Sequence, residues 1–119
     1  MEQMEKKLFA GYAEAIVTPP MGLKVPGYYS ERISDGIIDD LMIRAVAFSD
    51  GETKAIFFSC ECIGIKADAS KLIREKIAAC CDVDPQAIYI SCNHSHTAFR
   101  ITVPTEKESE NNIFLRRLY

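Results

Sequence analysis

Glycine and proline are scarce, six and five in 119 residues. With 48% hydrophobic residues, that composition excludes a collagen-like, low-complexity or disordered chain. A basic block is also missing: 14 Lys and Arg against 17 Asp and Glu leave a net charge of -3, spread along the chain, so nucleic acid is not an expected partner. The longest stretch without a charged residue, Pro85 to Phe99, is shorter than the roughly 20 residues of a membrane span and contains Asn93 and both histidines. No transmembrane segment is expected. The start, Met1 to Lys7 running into Leu8-Phe9-Ala10, lacks the apolar run of about 7 to 15 residues of a secretory signal, and a cytoplasmic location follows as the expectation. Five cysteines, an odd number that includes the neighbours Cys80 and Cys81, make a poor disulfide framework. Reduced thiols, mostly small buried hydrophobes, are the simpler reading. Internal repeats are absent.

What is present suits one domain over residues 1–119. Between Gly11 and Gly36 glycine and proline concentrate, which predicts an ordered surface layer of turns after an opening strand near Leu8 to Val17. A hairpin is expected from about Leu41 to Cys60, turning at Ser49-Asp50-Gly51-Glu52. Its second strand, Lys54 to Cys60, is apolar on both faces and reads as a central strand covered on both sides. Leu72, Ile73, Ile77 and Cys80 recur at helical spacing within Asp68 to Cys81, predicting an amphipathic helix capped by Asp68 or Ser70. Ala87 to Cys92 reads as another buried strand. Strand, helix and strand make a right-handed βαβ crossover with parallel strands. The fold class is thus α/β with a mixed sheet. After a polar stretch, Thr102 to Asn112, the apolar pattern resumes from Ile113 to Tyr119 as a helix.

His94 and His96 follow the strand ending at Cys92. Alternate side chains of an extended segment share a side, so both imidazoles can face one point, and Glu61, at the end of the preceding parallel strand, should converge with them. Two imidazoles with a carboxylate or water suit Zn²⁺. The other reading of Asn-His-Ser-His-Thr is a solvated polar loop. Cys60, Cys62 and Cys92 offer a competing thiolate set, although without Cys-x-x-Cys spacing Cys60 and Cys62 are expected to pack inside. Arg44 interrupts an apolar strand; it either faces solvent from an edge or pairs with an acid such as Glu61 or Asp39. Thr18-Pro19-Pro20 and Gly27-Tyr28 read as rigid loop chemistry, while Gly27 and Gly36 would also let backbone approach a ligand closely.

Gly11-Tyr12-Ala13-Glu14-Ala15-Ile16-Val17-Thr18-Pro19-Pro20, Gly27-Tyr28, Gly36-Ile37, Arg44-Ala45 and Ser91-Cys92-Asn93-His94-Ser95-His96-Thr97 together resemble the N-terminal part of the neutral/alkaline non-lysosomal ceramidase family. The resemblance runs to about Phe99. It implies a zinc-dependent amidohydrolase cleaving an N-acyl amide, with His94 as a metal ligand and His96 beside the substrate or metal-bound water. It further implies that this chain is an N-terminal fragment of a larger catalytic domain, with the remaining ligands beyond Tyr119 and little activity alone. Asn93, Ser95 and Thr97-Ala98-Phe99 depart from the family pattern, and Glu61 stands where the family usually has Asp. A small-molecule or lipid amide other than ceramide is therefore open as the substrate. The contrasting expectation is a metal-free interaction module that forms a homo-oligomer or joins a complementing chain through an unfinished sheet edge. A thiol redox protein built on Cys60 and Cys62 is a third.

Overall fold

A computed structural model describes residues 5–105 and 110–118. The elements are β1 (Phe9–Ile16), β2 (Met42–Ser49), β3 (Lys54–Cys60), β4 (Gly64–Ile65), α1 (Ala67–Cys81), β5 (Ile88–Cys92), β6 (Arg100–Ile101) and α2 (Glu110–Leu118). Part of the predicted polar stretch and Tyr119 lie outside the described residues.

The main sheet has the order β1-β2-β3-β5. Its first three strands are antiparallel neighbours, while β3 and β5 run parallel, so the mixed sheet, the hairpin and the βαβ unit are all present. Asp50 makes the hairpin turn. Its carboxylate accepts from the backbone N–H groups of Glu52 and Thr53 at 2.9 and 2.8 Å, and Gly51 supplies the left-handed φ of +97° that follows. Thr18 closes the other end of the sheet: its hydroxyl donates to Asp40 at 2.7 Å and accepts from Leu41 N–H at 2.9 Å, tying the exit of β1 to the entry of β2.

Three expectations need correction. β5, read as a buried strand, lies at the sheet edge with Tyr89, Ser91 and Cys92 exposed. The helix does not use Asp68 or Ser70 as its cap. Ser70 N–H already bonds the carbonyl of Lys66 at 2.9 Å, so the first turn begins earlier, with Lys66 in the cap position and Asp68 inside the turn bonding Ala69 N–H. Nor is β3 covered on both sides. Ala13, Ala45, Phe58 and Ile90 stand in register on one face; Phe58 and Ile90, with Ile43 from β2 and Ile73 from α1, pack against the core. Tyr12, Val46, Phe57 and Tyr89 stand in register on the other, and there Phe57 stacks on Tyr89 at 4.9 Å and meets Phe48 edge-on at 6.1 Å, all three exposed. β3 is central, yet only one layer covers it.

The core sits beyond the carboxyl ends of β3 and β5. Leu23, Cys60, Cys62, Ala69, Phe99, Ile101, Phe114 and Leu115 form it, with Phe99 and Phe114 edge to face at 5.0 Å. A second, two-stranded parallel sheet, β4-β6, continues the chain past the first. The layout is open: the accessible surface of 8700 Å² exceeds by about a third the roughly 6,400 Å² of a compact monomer of this mass. The radius of gyration, 17.2 Å, likewise exceeds the about 13.5 Å expected for this length. No helix among the described residues is long and apolar enough to cross a membrane.

Candidate metal centre

The loop 93–99 that carries both histidines is fastened at its two ends. Asn93 N–H donates to the Cys60 carbonyl at 3.2 Å where β5 leaves β3, and Ile63 N–H donates to the Phe99 carbonyl at 2.9 Å where the chain approaches β6. Within it, Asn93 accepts from Ser95 N–H, and the Ser95 hydroxyl accepts from Thr97 N–H. His94 adopts a φ of +58°, a left-handed conformation that His visits more readily than most residues.

The two rings meet, although not through strand alternation. The turn at His94 brings them together edge to face, with centroids 4.8 Å apart and planes at 87°. His94 Nδ1–H donates to the Ile63 carbonyl at 2.7 Å, and His96 Nδ1–H donates to the Gly27 carbonyl at 3.1 Å. A carbonyl oxygen only accepts, so these contacts place the proton of each neutral ring on Nδ1 and leave each Nε2 with a lone pair. Those two Nε2 atoms are 3.2 Å apart. Facing lone pairs at that separation repel, and either of two things relieves the repulsion: a second proton on one ring, donated from its Nε2 to the other, or a metal ion bound beside both. Two nitrogens about 2.0 to 2.1 Å from a tetrahedral zinc ion stand about 3.3 Å apart, so the spacing and the outer hydrogen bonds fit two ligands of such an ion.

Gly27 reaches this site by its backbone. Its φ is +107°, and a Cβ there would stand 2.6 Å from both His96 Nδ1 and Ile63 Cδ1. The close approach open to Gly27 in the sequence is thus made to a protein imidazole. At Gly36 nothing lies within 4 Å of where its Cβ would be, so it makes no such close approach among the described residues. Behind His96, Tyr28 packs edge-on at 5.7 Å, and Arg32 lies 4.0 Å over the Tyr28 ring while donating to the His96 carbonyl at 3.4 Å. Tyr28 was marked only by the Gly27-Tyr28 dipeptide, and the Ile63 carbonyl had no sequence signal, because any residue supplies one.

Glu61 does not converge with the histidines. Its Oε2 accepts from Met42 N–H at 2.6 Å and its Oε1 from Arg44 Nη1 at 3.4 Å. Arg44 also meets Glu14, its cross-strand neighbour, at 3.5 Å, so the strand cation is paired rather than left to solvent at an edge. The hydrogen bond with Glu61 is the main reason its guanidinium is held above its ordinary pKa. The cysteines do not make a metal set. Burial pushes the Cys60 thiol up to about 11 and the Cys62 thiol up to about 12, away from the thiolate form that metals need, and the described residues contain no group of three or more His, Cys, Asp or Glu able to hold an ion.

No protein-family model matches the chain, and no curated protein is similar enough to count as a relative. The chemistry of the pair rests on its own geometry.

Proposed function

We propose that His94 and His96 are two ligands of a zinc centre that hydrolyses an amide bond, with the remaining ligands coming from outside the described residues. The resemblance to ceramidases implies the reaction and His94 as a ligand, while the geometry favours His96 as a second ligand rather than only a neighbour of the substrate or metal-bound water. The observation that carries this reading is the 3.2 Å approach of two Nε2 atoms whose ring partners both face carbonyl oxygens. A zinc ion bound there would act as a Lewis acid toward an amide carbonyl and lower the pKa of water to about 7. The chain's own residues do the preparatory work. The Ile63 and Gly27 carbonyls keep the donor lone pairs on Nε2, Tyr28 and Arg32 restrain His96 from behind, and Glu61 holds the Arg44 end of β2 against β3. The substrate class is a small-molecule or lipid amide. Two ligands fall short of the three protein ligands usual in catalytic zinc sites, so the isolated chain binds zinc weakly and turns over little.

Zinc titration against a chromogenic chelator tests the reading. One ion per chain is expected, with His94→Ala and His96→Ala each lowering the affinity at least about 100-fold, more than the loss of an outer-shell partner causes. Either variant keeping the original affinity would overturn it.

The open surface favours a second reading, a metal-free module that forms a homo-oligomer. Its mark is a multiple of the monomer mass by size-exclusion light scattering that survives chelation, with no zinc taken up.

A further inference from the structure

We infer that the free edge of β5, together with α1, is a docking groove for an extended, acidic strand of another polypeptide segment. Three observations converge on it. Among the described residues β5 pairs only with β3 and ends the sheet, so one row of its backbone donors and acceptors has no ladder partner there. Beside that edge runs a groove of about 620 Å³, lined by Ile88, Tyr89 and Ile90 of β5 and by Lys71, Arg74 and Glu75 of α1. Arg74 Nε is out of water and bonded to nothing, and neither Lys71 nor Arg74 is paired with a carboxylate among the described residues.

Backbone groups of an added strand would complete the β5 ladder, and a Glu or Asp on it would give the Arg74 fork its acceptor. A second copy docking β5 to β5 would bring a strand, Ile88–Cys92, that carries no carboxylate of its own. The direction of the strand also matters. A strand parallel to β5 ends on the side where β5 leads into His94, where it can present a further ligand to the imidazole pair. That last step rests on the zinc reading, whereas the strand pairing does not.

The test uses the full chain and a blocked heptapeptide, Val-Thr-Val-Glu-Val-Thr-His, with a second peptide carrying Lys in place of Glu. Without metal, the Glu peptide should slow amide exchange across β5 at least about tenfold and leave β1 unchanged. The Lys peptide should not, and Arg74→Gln should abolish the difference while Arg74→Lys retains most of it. Equal protection by both peptides, protection of β1 instead of β5, or none at saturation would overturn the proposal. In a second arm, zinc affinity should rise at least about tenfold with the His-ended peptide and not with an Ala-ended one. Protected β5 amides in a chain that binds no zinc would sink the zinc reading and leave the groove standing; bound zinc with β5 unprotected would do the reverse.

Discussion

The two ends of this molecule are built differently. At the carboxyl ends of β3 and β5 the chain is dense, with Cys62 and Leu115 at 0 and 1% exposure; along β1 every residue is exposed, with Tyr12 at 62% and Ile16 at 64%. Each region contains an edge strand of the main sheet, β5 in one and β1 in the other, so hydrogen bonding does not separate them. The side chains do. On the face toward α1, β1 offers Gly11, Ala13 and Ala15 and β2 offers Ala45 and Ala47 with one large residue, Ile43, whereas β3 and β5 offer Ile56, Phe58, Ile88 and Ile90. Small side chains remove little apolar area from water, and the helix packs where the large ones are. The lesson is that strand pairing positions a segment, while the layer above it supplies most of the free energy. The histidine loop is anchored at the dense end, which is where a site needing fixed geometry belongs.

The sharpest way to break this contrast is to empty one region and then the other. Leu115→Ala should cost about 2–5 kcal/mol, read as a shift of the denaturation midpoint, whereas Tyr12→Ala should stay within about 1 kcal/mol. Equal costs would mean that β1 is covered in solution. Thiol labelling sharpens the same contrast chemically. At pH 8, Cys60 and Cys62, pushed up to about 11 and about 12, should react at least about a hundredfold more slowly than the exposed Cys80 and Cys81, as followed by mass spectrometry. Comparable rates would show that the dense end opens readily.

Gly27→Ala probes the site within the dense end. A Cβ there collides with His96, so zinc affinity should fall about tenfold, while Gly36→Ala, with open space around it, should leave affinity unchanged. The smallest effect is expected at the hairpin turn. Backbone hydrogen bonds from Thr53 and Glu52 hold the Asp50 carboxyl below its usual pKa. A group with a lowered folded pKa stabilises fully above its unfolded value, about 3.9, and loses that contribution as pH falls through the lower folded value. The β2–β3 hairpin should therefore fray below about pH 4, seen as faster amide exchange near Asp50 than at pH 6. Asp50→Ala should flatten that pH dependence; an unchanged profile would remove Asp50 from the account.

Much of the fold was legible because local patterns carried it. The apolar run of β3, the helical spacing of Leu72, Ile73 and Ile77 and the Asp50-Gly51 turn each state their structure within a few residues. The cap of α1 was misplaced because Ser70 and Asp68 are good capping residues in isolation, while the Lys66 carbonyl already accepted the first helical bond. At the site, the convergence of His94 and His96 was legible from their spacing, but its mechanism was not. A left-handed turn and two backbone carbonyls, at Ile63 and Gly27, make it. Glu61 was expected at the pair because strand ends gather ligands; Arg44 and Met42 N–H hold it elsewhere, a choice between equally placed partners that no local pattern records.

Sequence alone determined the strands of the main sheet, the two helices, their order along the chain and the presence of two imidazoles just past a strand end, though not the short β4-β6 pair, because periodicity, turn residues and residue chemistry act over short stretches of chain. Only the tertiary structure decided which face of the sheet is covered, that Gly27 touches His96 across 69 positions, and that Glu61 serves Arg44. Those outcomes depend on side-chain volume and competing partners brought together from distant segments, and such competition is resolved only when the segments pack.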